Sequence, residues 1–256
     1  WGTAVSGQSY YNENQMLKGS NLTSSDKFGE SVAIDGNVAI IGATDADTEV
    51  AGGAGNAFVF ERDANGTWTE SKIIQASNPG YNDKFGYDVA ISGSYAIVGA
   101  YQEDTTAVDS GAAYIFELDA NGTWSQTQML KASDAASGDY FGSSVAISGD
   151  YAIVCAYNED TVQYNSGTAY IFKRNGTSWT ETQRLKVSNA ASGDALGRLS
   201  STVSISGDYA IIGHYVEDSI EFNSGAAYIF ERDTTTGIWG TAVSGQSYYN
   251  ENQMLK

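Results

Sequence analysis

Apolar positions in this chain come in short runs where a branched or aromatic side chain alternates with a small one. That is the two-residue period of a strand. The run Ser31-Val32-Ala33-Ile34 leads to Ala39-Ile40-Ile41-Gly42-Ala43. A Gly-x-Ala-aromatic-aliphatic-Phe segment ending at Phe60 follows, and then a stretch opening on Trp68. No stretch keeps the 3.6-residue period of a helix. In the third such series, strands are predicted at about 144–148, 151–156, 168–173 and 179–186. Gly149-Asp150 joins the first two as a two-residue hairpin, and Asn175-Gly176 marks the turn between the last two. Ala fills much of the second face, as suits sheets covered on both sides by other sheets.

The series recurs. Phe28-Gly29, Phe85-Gly86, Phe141-Gly142 and Leu196-Gly197 open it at spacings of 57, 56 and 55 residues, the last with three extra residues before Thr202-Val203-Ser204-Ile205. The second landmark returns as Ala96-Ile97-Val98-Gly99-Ala100, Ala152-Ile153-Val154-Cys155-Ala156 and Ala210-Ile211-Ile212-Gly213-His214. The third ends at Phe116, Phe172 and Phe230, and the tryptophan recurs at Trp124, Trp179 and Trp239. A four-stranded sheet cannot hide both apolar faces alone and must stack on its own kind. A solenoid coil would repeat at a far shorter interval, and a sandwich needs no such self-similarity. The expectation is an all-β, β-propeller-like array of four-stranded antiparallel blades, with four repeats of about 56 residues in one domain over residues 1–256. The blades are expected near 19–75, 76–131, 132–187 and 188–256.

Residues 1–18 and 239–256 both read WGTAVSGQSYYNENQMLK, whereas the internal copies have diverged to WSQTQMLK from Trp124 and WTESKIIQ from Trp68. An untouched duplicate implies a window on a longer array with a period of 238 residues; the other reading is that it reflects how the sequence was delimited. A closed ring has room for one copy of this strand in its last blade. Residues 1–18 are therefore predicted to be an outer strand that pairs with a neighbouring unit, by strand addition at a sheet edge. Head-to-tail contacts of this kind grow into a fibre when the rotation does not close. Trp1, Leu17, Trp239 and Leu255 are the assembly residues this predicts.

Composition narrows the partners. The 256 residues carry 31 acidic and 13 basic side chains, a formal net charge of −18, which argues against nucleic acid and anionic membrane surfaces and favours cations. No apolar run is long enough to span a bilayer. The single cysteine, Cys155, permits no disulfide within the chain and stands where other copies have Gly42, Gly99 and Gly213, so a small buried substitute is expected.

The Phe-Gly pairs, taken with Gly42-Ala43, Gly99-Ala100, the segments 111–116 and 225–230 and the Asn-Gly-Thr-Trp hairpins at 65–68 and 121–124, resemble the FG-GAP repeat in its microbial form. The resemblance covers nearly the whole chain. It implies a β-propeller, usually of seven blades, on a secreted or surface protein. With four repeats here, a four-bladed ring, an eight-bladed ring from two units and an open superhelix all remain open. Integrin-like members bind calcium in Asp-x-Asp-x-Asp-Gly loops. The nearest match, Asp45-Ala46-Asp47-Thr48-Glu49, lacks the third Asp and the glycine, and the equivalent loops offer Asp104, Asp160 and Asp218. Calcium needs six to eight oxygens, so this spacing alone builds no cage. Another acid precedes each landmark, at Asp26, Asp83, Asp139 and Asp194, where capping a turn is the plainer role.

Four Asn-x-Ser/Thr sequons, at Asn21, Asn65, Asn121 and Asn175, are candidate glycosylation sites, although Asn-Gly is also what the turn itself selects. Tyr101, Tyr157 and Tyr215 precede the acidic loops and are candidates for stacking on sugars or for half-buried rim positions. The one histidine, His214, has no nucleophile elbow or oxyanion loop near it in sequence, and a propeller hydrolase would depend on it. The expected function is therefore non-enzymatic: the repeat unit of an extracellular filament, sheath or surface array, assembled through terminal strand exchange or tandem linkage, with copies of itself as partners in a homopolymer or tandem array. An adhesion or ligand-binding propeller taking calcium or glycans is the alternative.

Overall fold

The computed structural model describes residues 3–4, 11–215, 225–244, 246 and 248–255. Strands β1 (Thr3–Ala4) and β2 (Tyr11–Asn12) form a small hairpin ahead of the first blade. Blade 1 is β3 (Val32–Asp35), β4 (Val38–Ala43), β5 (Asn56–Arg62) and β6 (Trp68–Ile74). Blade 2 is β7 (Phe85–Ser92), β8 (Tyr95–Ala100), β9 (Ala112–Leu118) and β10 (Trp124–Leu130). Blade 3 is β11 (Phe141–Ser148), β12 (Tyr151–Ala156), β13 (Thr168–Asn175) and β14 (Ser178–Lys186). Each is an antiparallel meander in chain order. Blade 4 has β15 (Val203–Ser206), β16 (Tyr209–His214) and β17 (Ala226–Glu231). The chain then leaves it for β18 (Thr241–Ala242) and β19 (Tyr249–Asn250) before closing the sheet with β20 (Gln253–Leu255). There is no helix among the described residues.

Local chemistry sets these hairpins. Ser148 pairs with Tyr151 across Gly149-Asp150, and the same two-residue turn recurs at Gly36, Gly93 and Gly207, each in the left-handed φ region that glycine adopts without strain. One turn is shifted from expectation. Asn175 is the last residue of β13 and pairs with Ser178, so the loop residues are Gly176-Thr177.

The predicted outer strand at 239–256 is corrected more deeply. Blades 1 to 3 each have a bulge in the outer strand, between Glu70 and Lys72, Gln126 and Gln128, and Glu181 and Gln183. In blade 4 that bulge becomes an excursion. Trp239 bridges Arg232, the chain departs, and Gln253 to Leu255 then pair with Ile229, Tyr228 and Ala227. The excursion is the β18–β19 hairpin, and β19 lies parallel to β14 of blade 3. Leu185 and Lys186, at the end of β14, find partners there.

The core lies between blades. Ile97, Ile115 and Leu130 of blade 2 meet Phe141, Val145, Phe172 and Trp179 of blade 3, and equivalent clusters fill the junctions on either side. Inner strands converge on Asp88, which is 1 % exposed. Its carboxylate accepts bonds from Ser31 of blade 1 (3.0 Å), Ser144 of blade 3 (3.0 Å) and the Ser201 amide leading into blade 4 (2.9 Å). Ser201 belongs to the three extra residues of the fourth repeat. The four blades form a propeller-like arc that is not closed. Val32 and Ile34 on the first blade are 64 % and 65 % exposed, where Val145 and Ile147 of blade 3 are 3 % and 6 % exposed.

Candidate functional site

The acidic loops are committed to their own turns and to lysines. Asp45 is held between Lys84 (2.6 Å) and Lys27 (3.0 Å); partial burial pushes its carboxyl up, but the two ammonium groups outweigh this and leave it below its ordinary range. Asp47 accepts the Gly53 amide, Asp104 that of Asp109, and Asp160 that of Asn165, each within its own loop. Asp218 lies outside the described residues. The neighbouring Glu103 and Glu159 are buried and paired with Lys131 and Lys186. Among the described residues no three His, Cys, Asp or Glu side chains converge as a metal site. The acids before each landmark cap turns: Asp26 accepts the Thr23 amide, Asp83 that of Gly80, Asp139 that of Ala136 and Asp194 that of Ala191.

The remaining candidates divide between buried and exposed. All four sequon asparagines are exposed. Asn65 and Asn121 sit in turns whose amides are collected by Asp63 and Asp119. Tyr87, Tyr101, Tyr140 and Tyr157 form a continuous row, with ring centroids 4.3, 5.7 and 4.9 Å apart, so Tyr101 and Tyr157 pack against other tyrosines. Burial, reinforced by neighbouring Tyr87 and Glu30, pushes the Tyr101 hydroxyl up to about 12. Tyr215 is 44 % exposed. His214 is buried inside blade 4, its ring over Tyr228 and Nε2 4.0 Å from Asp194. Cys155 is fully buried against Gly197, and burial raises its thiol pKa, the state of an inert packing residue.

What recurs as built machinery is the slot that holds each outer strand against the next blade. Gln128 of β10 donates to the Trp179 carbonyl (2.7 Å) and accepts the Trp179 amide (2.8 Å). Gln183 of β14 does the same to Trp239, at 3.3 and 2.9 Å. A second clamp runs the same way. The Ser133 amide bonds Glu181 (2.9 Å), the Ser77 amide bonds Gln126 (2.8 Å) and the Ser188 amide bonds Glu251 (2.8 Å). The first of the two terminal copies, with the two residues that follow it, meets blade 1 through both clamps. Gln15 holds Trp68 at 2.6 and 2.9 Å, and Ser20 bonds Glu70 at 2.7 Å.

The family comparison has the same stagger. The FG-GAP repeat matches four times, over residues 11–60, 68–116, 124–172 and 179–230. The chain belongs to the FG-GAP repeat family. Each FG-GAP match joins the outer strand of one blade to the three inner strands of the next; residues 68–116, for example, run from β6 through most of β9. The first match starts at residue 11, so residues 13–18 occupy the place that β6, β10 and β14 hold elsewhere. No curated protein matches the chain.

Of the predicted assembly residues, Leu17 is half-buried against the blade 1 cluster around Phe58. Trp239 is fully buried at the junction of blades 3 and 4, its ring 5.6 Å from Tyr151, and so packs inside the chain. Leu255 pairs with Ala227 and is 41 % exposed. Trp1 lies outside the described residues. Sequence reasoning missed the Gln and Glu clamps because each pairs with a residue one blade onward. Their signal was present in the recurrence of Gln15, Gln128, Gln183 and Gln253 two residues before a leucine.

Proposed function

We propose that this FG-GAP chain is a non-enzymatic structural module of an extracellular filament, sheath or surface array, whose units join end to end through the duplicated outer strand. One observation carries this reading. An internal outer strand such as β10 does two things: it pairs backward with its own sheet and clamps forward onto the next tryptophan. The two terminal copies divide these roles. Residues 15–18 make the forward clamp to Trp68, and β20 makes the backward pairing to β17. Laid on one another, they make one complete junction. The extracellular setting rests on what is typical of FG-GAP repeats and on the exposed sequons. Electron microscopy and light scattering of the purified chain over a concentration series test the reading. End-to-end strings that lengthen with concentration are expected, and single particles at every concentration would remove it.

A second reading, an adhesion or ligand-binding propeller, is supported by the common role of FG-GAP propellers and by the half-buried row of four tyrosine rings. Calorimetry with calcium and binding to a glycan panel separate it from the first; silence in both discards it.

A further inference from the structure

Gly213 has no reason, within the described residues, to be glycine. Gly42 and Gly99 stand at the same landmark in blades 1 and 2. Their backbones lie outside the left-handed region, and a Cβ on either would overlap the carbonyl oxygen of Gly86 or Gly142 in the following blade. Gly213 also has an ordinary backbone, yet the nearest described atom to its would-be Cβ is the Thr202 oxygen of its own blade, 3.5 Å away. The counterpart of Gly86 and Gly142 at the other end is Gly29, which has no described atom within 4 Å of that position.

The faces around these glycines are complementary in the same way. Ile97, Ala113, Ile115 and Leu130 are at most 1 % exposed beneath blade 3. Their equivalents Ile211, Ala227 and Ile229 are only half-buried, and Leu255 is 41 % exposed. On blade 1, exposed Val32 and Ile34 match Val145 and Ile147, which an incoming blade covers. A cleft of about 810 Å³, lined by Leu17, Ile34, Arg62 and Trp68, lies where that blade would sit.

The polar pins correspond as well. Arg174 lies over Tyr95 of the preceding blade (4.5 Å) and Arg232 over Tyr151 (4.8 Å). Arg62 is exposed at one end of the chain, and Tyr209, 56 % exposed, stands at the other. The amides of Gly93, Gly149 and Gly207 bond Asp35, Ser92 and Ser148 of the preceding blade, which leaves Gly36 to match Ser206.

We propose that blade 4 of one copy seats on blade 1 of the next, as blade 2 seats on blade 3, with Gly213 against Gly29, Tyr209 under Arg62 and Ser206 on the Gly36 amide. This rests on the end-to-end reading above and names its contact. The occupant is a second copy because the chain's own two faces stay apart although they are tethered together. The junction has one outer-strand place for two identical strands, residues 15–17 of the incoming copy and 253–255 of the receiving one. Whichever stays supplies the same glutamine to Trp68 and the same pairing to β17, so the exchange loses no contact.

The test uses two single-face variants, Ile34→Asp and Ile211→Asp, in the full chain, with circular dichroism as the check on folding. Each alone is expected to run at the 27.2 kDa of one chain. Mixed, they should form dimers and nothing longer, since each retains one good face. A parent chain that forms strings while both variants do so unchanged would overturn this contact and leave the end-to-end reading standing. A parent chain that never associates would remove both. Because Ile211 is half-buried, a second measurement stands apart from it. Ser206→Cys with Gly36→Cys should give an intermolecular ladder on oxidation, and a disulfide closed within one chain would overturn the proposal in favour of a four-bladed ring.

Discussion

Residues 1–18 and 239–256 have the same letters in two settings, and what they share separates intrinsic structure from imposed structure. In both, the first Thr-Ala pairs with the Tyr-Asn eight residues on, Thr3 with Asn12 and Thr241 with Asn250, so this hairpin is local. Everything beyond it differs. In the second copy β19 joins β14, Glu251 clamps Ser188 and β20 completes blade 4. In the first, Glu13 is exposed, Gln15 clamps Trp68 and Leu17 packs on the blade 1 cluster. The same side chains are stabilising only where a neighbouring blade receives them, as expected of a stack whose stability is a sum of nearest-neighbour junctions.

Tryptophan at a filled and at an open junction should give the largest contrast. Trp239 is fully buried under Tyr151, so Trp239→Ala is expected to cost about 3–5 kcal/mol in urea unfolding. Trp68 is half-exposed above the cleft, and Trp68→Ala should cost about 1–2 kcal/mol. Equal losses would mean that the end faces are filled in solution, and measuring at low concentration distinguishes that outcome from association.

Glycine comes next. In Gly99→Ala the methyl must displace the Gly142 carbonyl, a loss of about 1–3 kcal/mol. Gly213→Ala should stay within about 0.5 kcal/mol on the isolated chain. A costly Gly213→Ala in a monomer would show that some other part of the chain covers this face. The clamps are smaller again. Glu251→Ala should lose about 1 kcal/mol with its two bonds to Ser188, and Glu13→Ala nothing measurable.

These contrasts also mark what could be read in the letters alone. The four sheets, their hairpin at Gly149-Asp150 and their stacking follow from strand period, turn residues and self-similarity, which are local or repeated signals. The excursion at 240–252 is hidden because residues 239–256 read as one continuous outer strand. Setting WSQTQMLK beside the same Trp and the same QMLK ending places a ten-residue insertion at the bulge. Asp88 was hidden differently. Its importance is three-dimensional, and its only trace is an acid where Ser31 and Ser144 stand in neighbouring repeats. The acidic loops drew attention as metal ligands because their lysine partners, Lys131 and Lys186, lie about one strand pair onward, where spacing along the chain carries no signal.

Filled junctions should also declare themselves in protons, the smallest of the expected effects. Asp83 and Asp139 sit where blades 1 and 2 and blades 2 and 3 meet. Burial, with Glu103 or Glu159 nearby, outweighs the hydrogen bond from the Gly80 or Ala136 amide and raises each carboxyl to about 6. A raised value means that the folded chain binds the proton more tightly than the unfolded one. The stability these two supply is therefore full below about pH 4 and lost as pH rises through about 6. Asp45 works the other way. Lysine contacts hold it low, so its contribution is present above about pH 4 and lost on further acidification. Unfolding midpoints should thus rise on moving from neutral pH to about pH 5 and fall again in stronger acid, with a gain on the order of 1 kcal/mol once solvent screening is allowed for. Asp83→Asn with Asp139→Asn should flatten the neutral-to-mildly-acidic limb and leave the acid limb intact. A limb that keeps its full slope in the double variant would assign the effect to relief of the −18 net charge rather than to the two junctions.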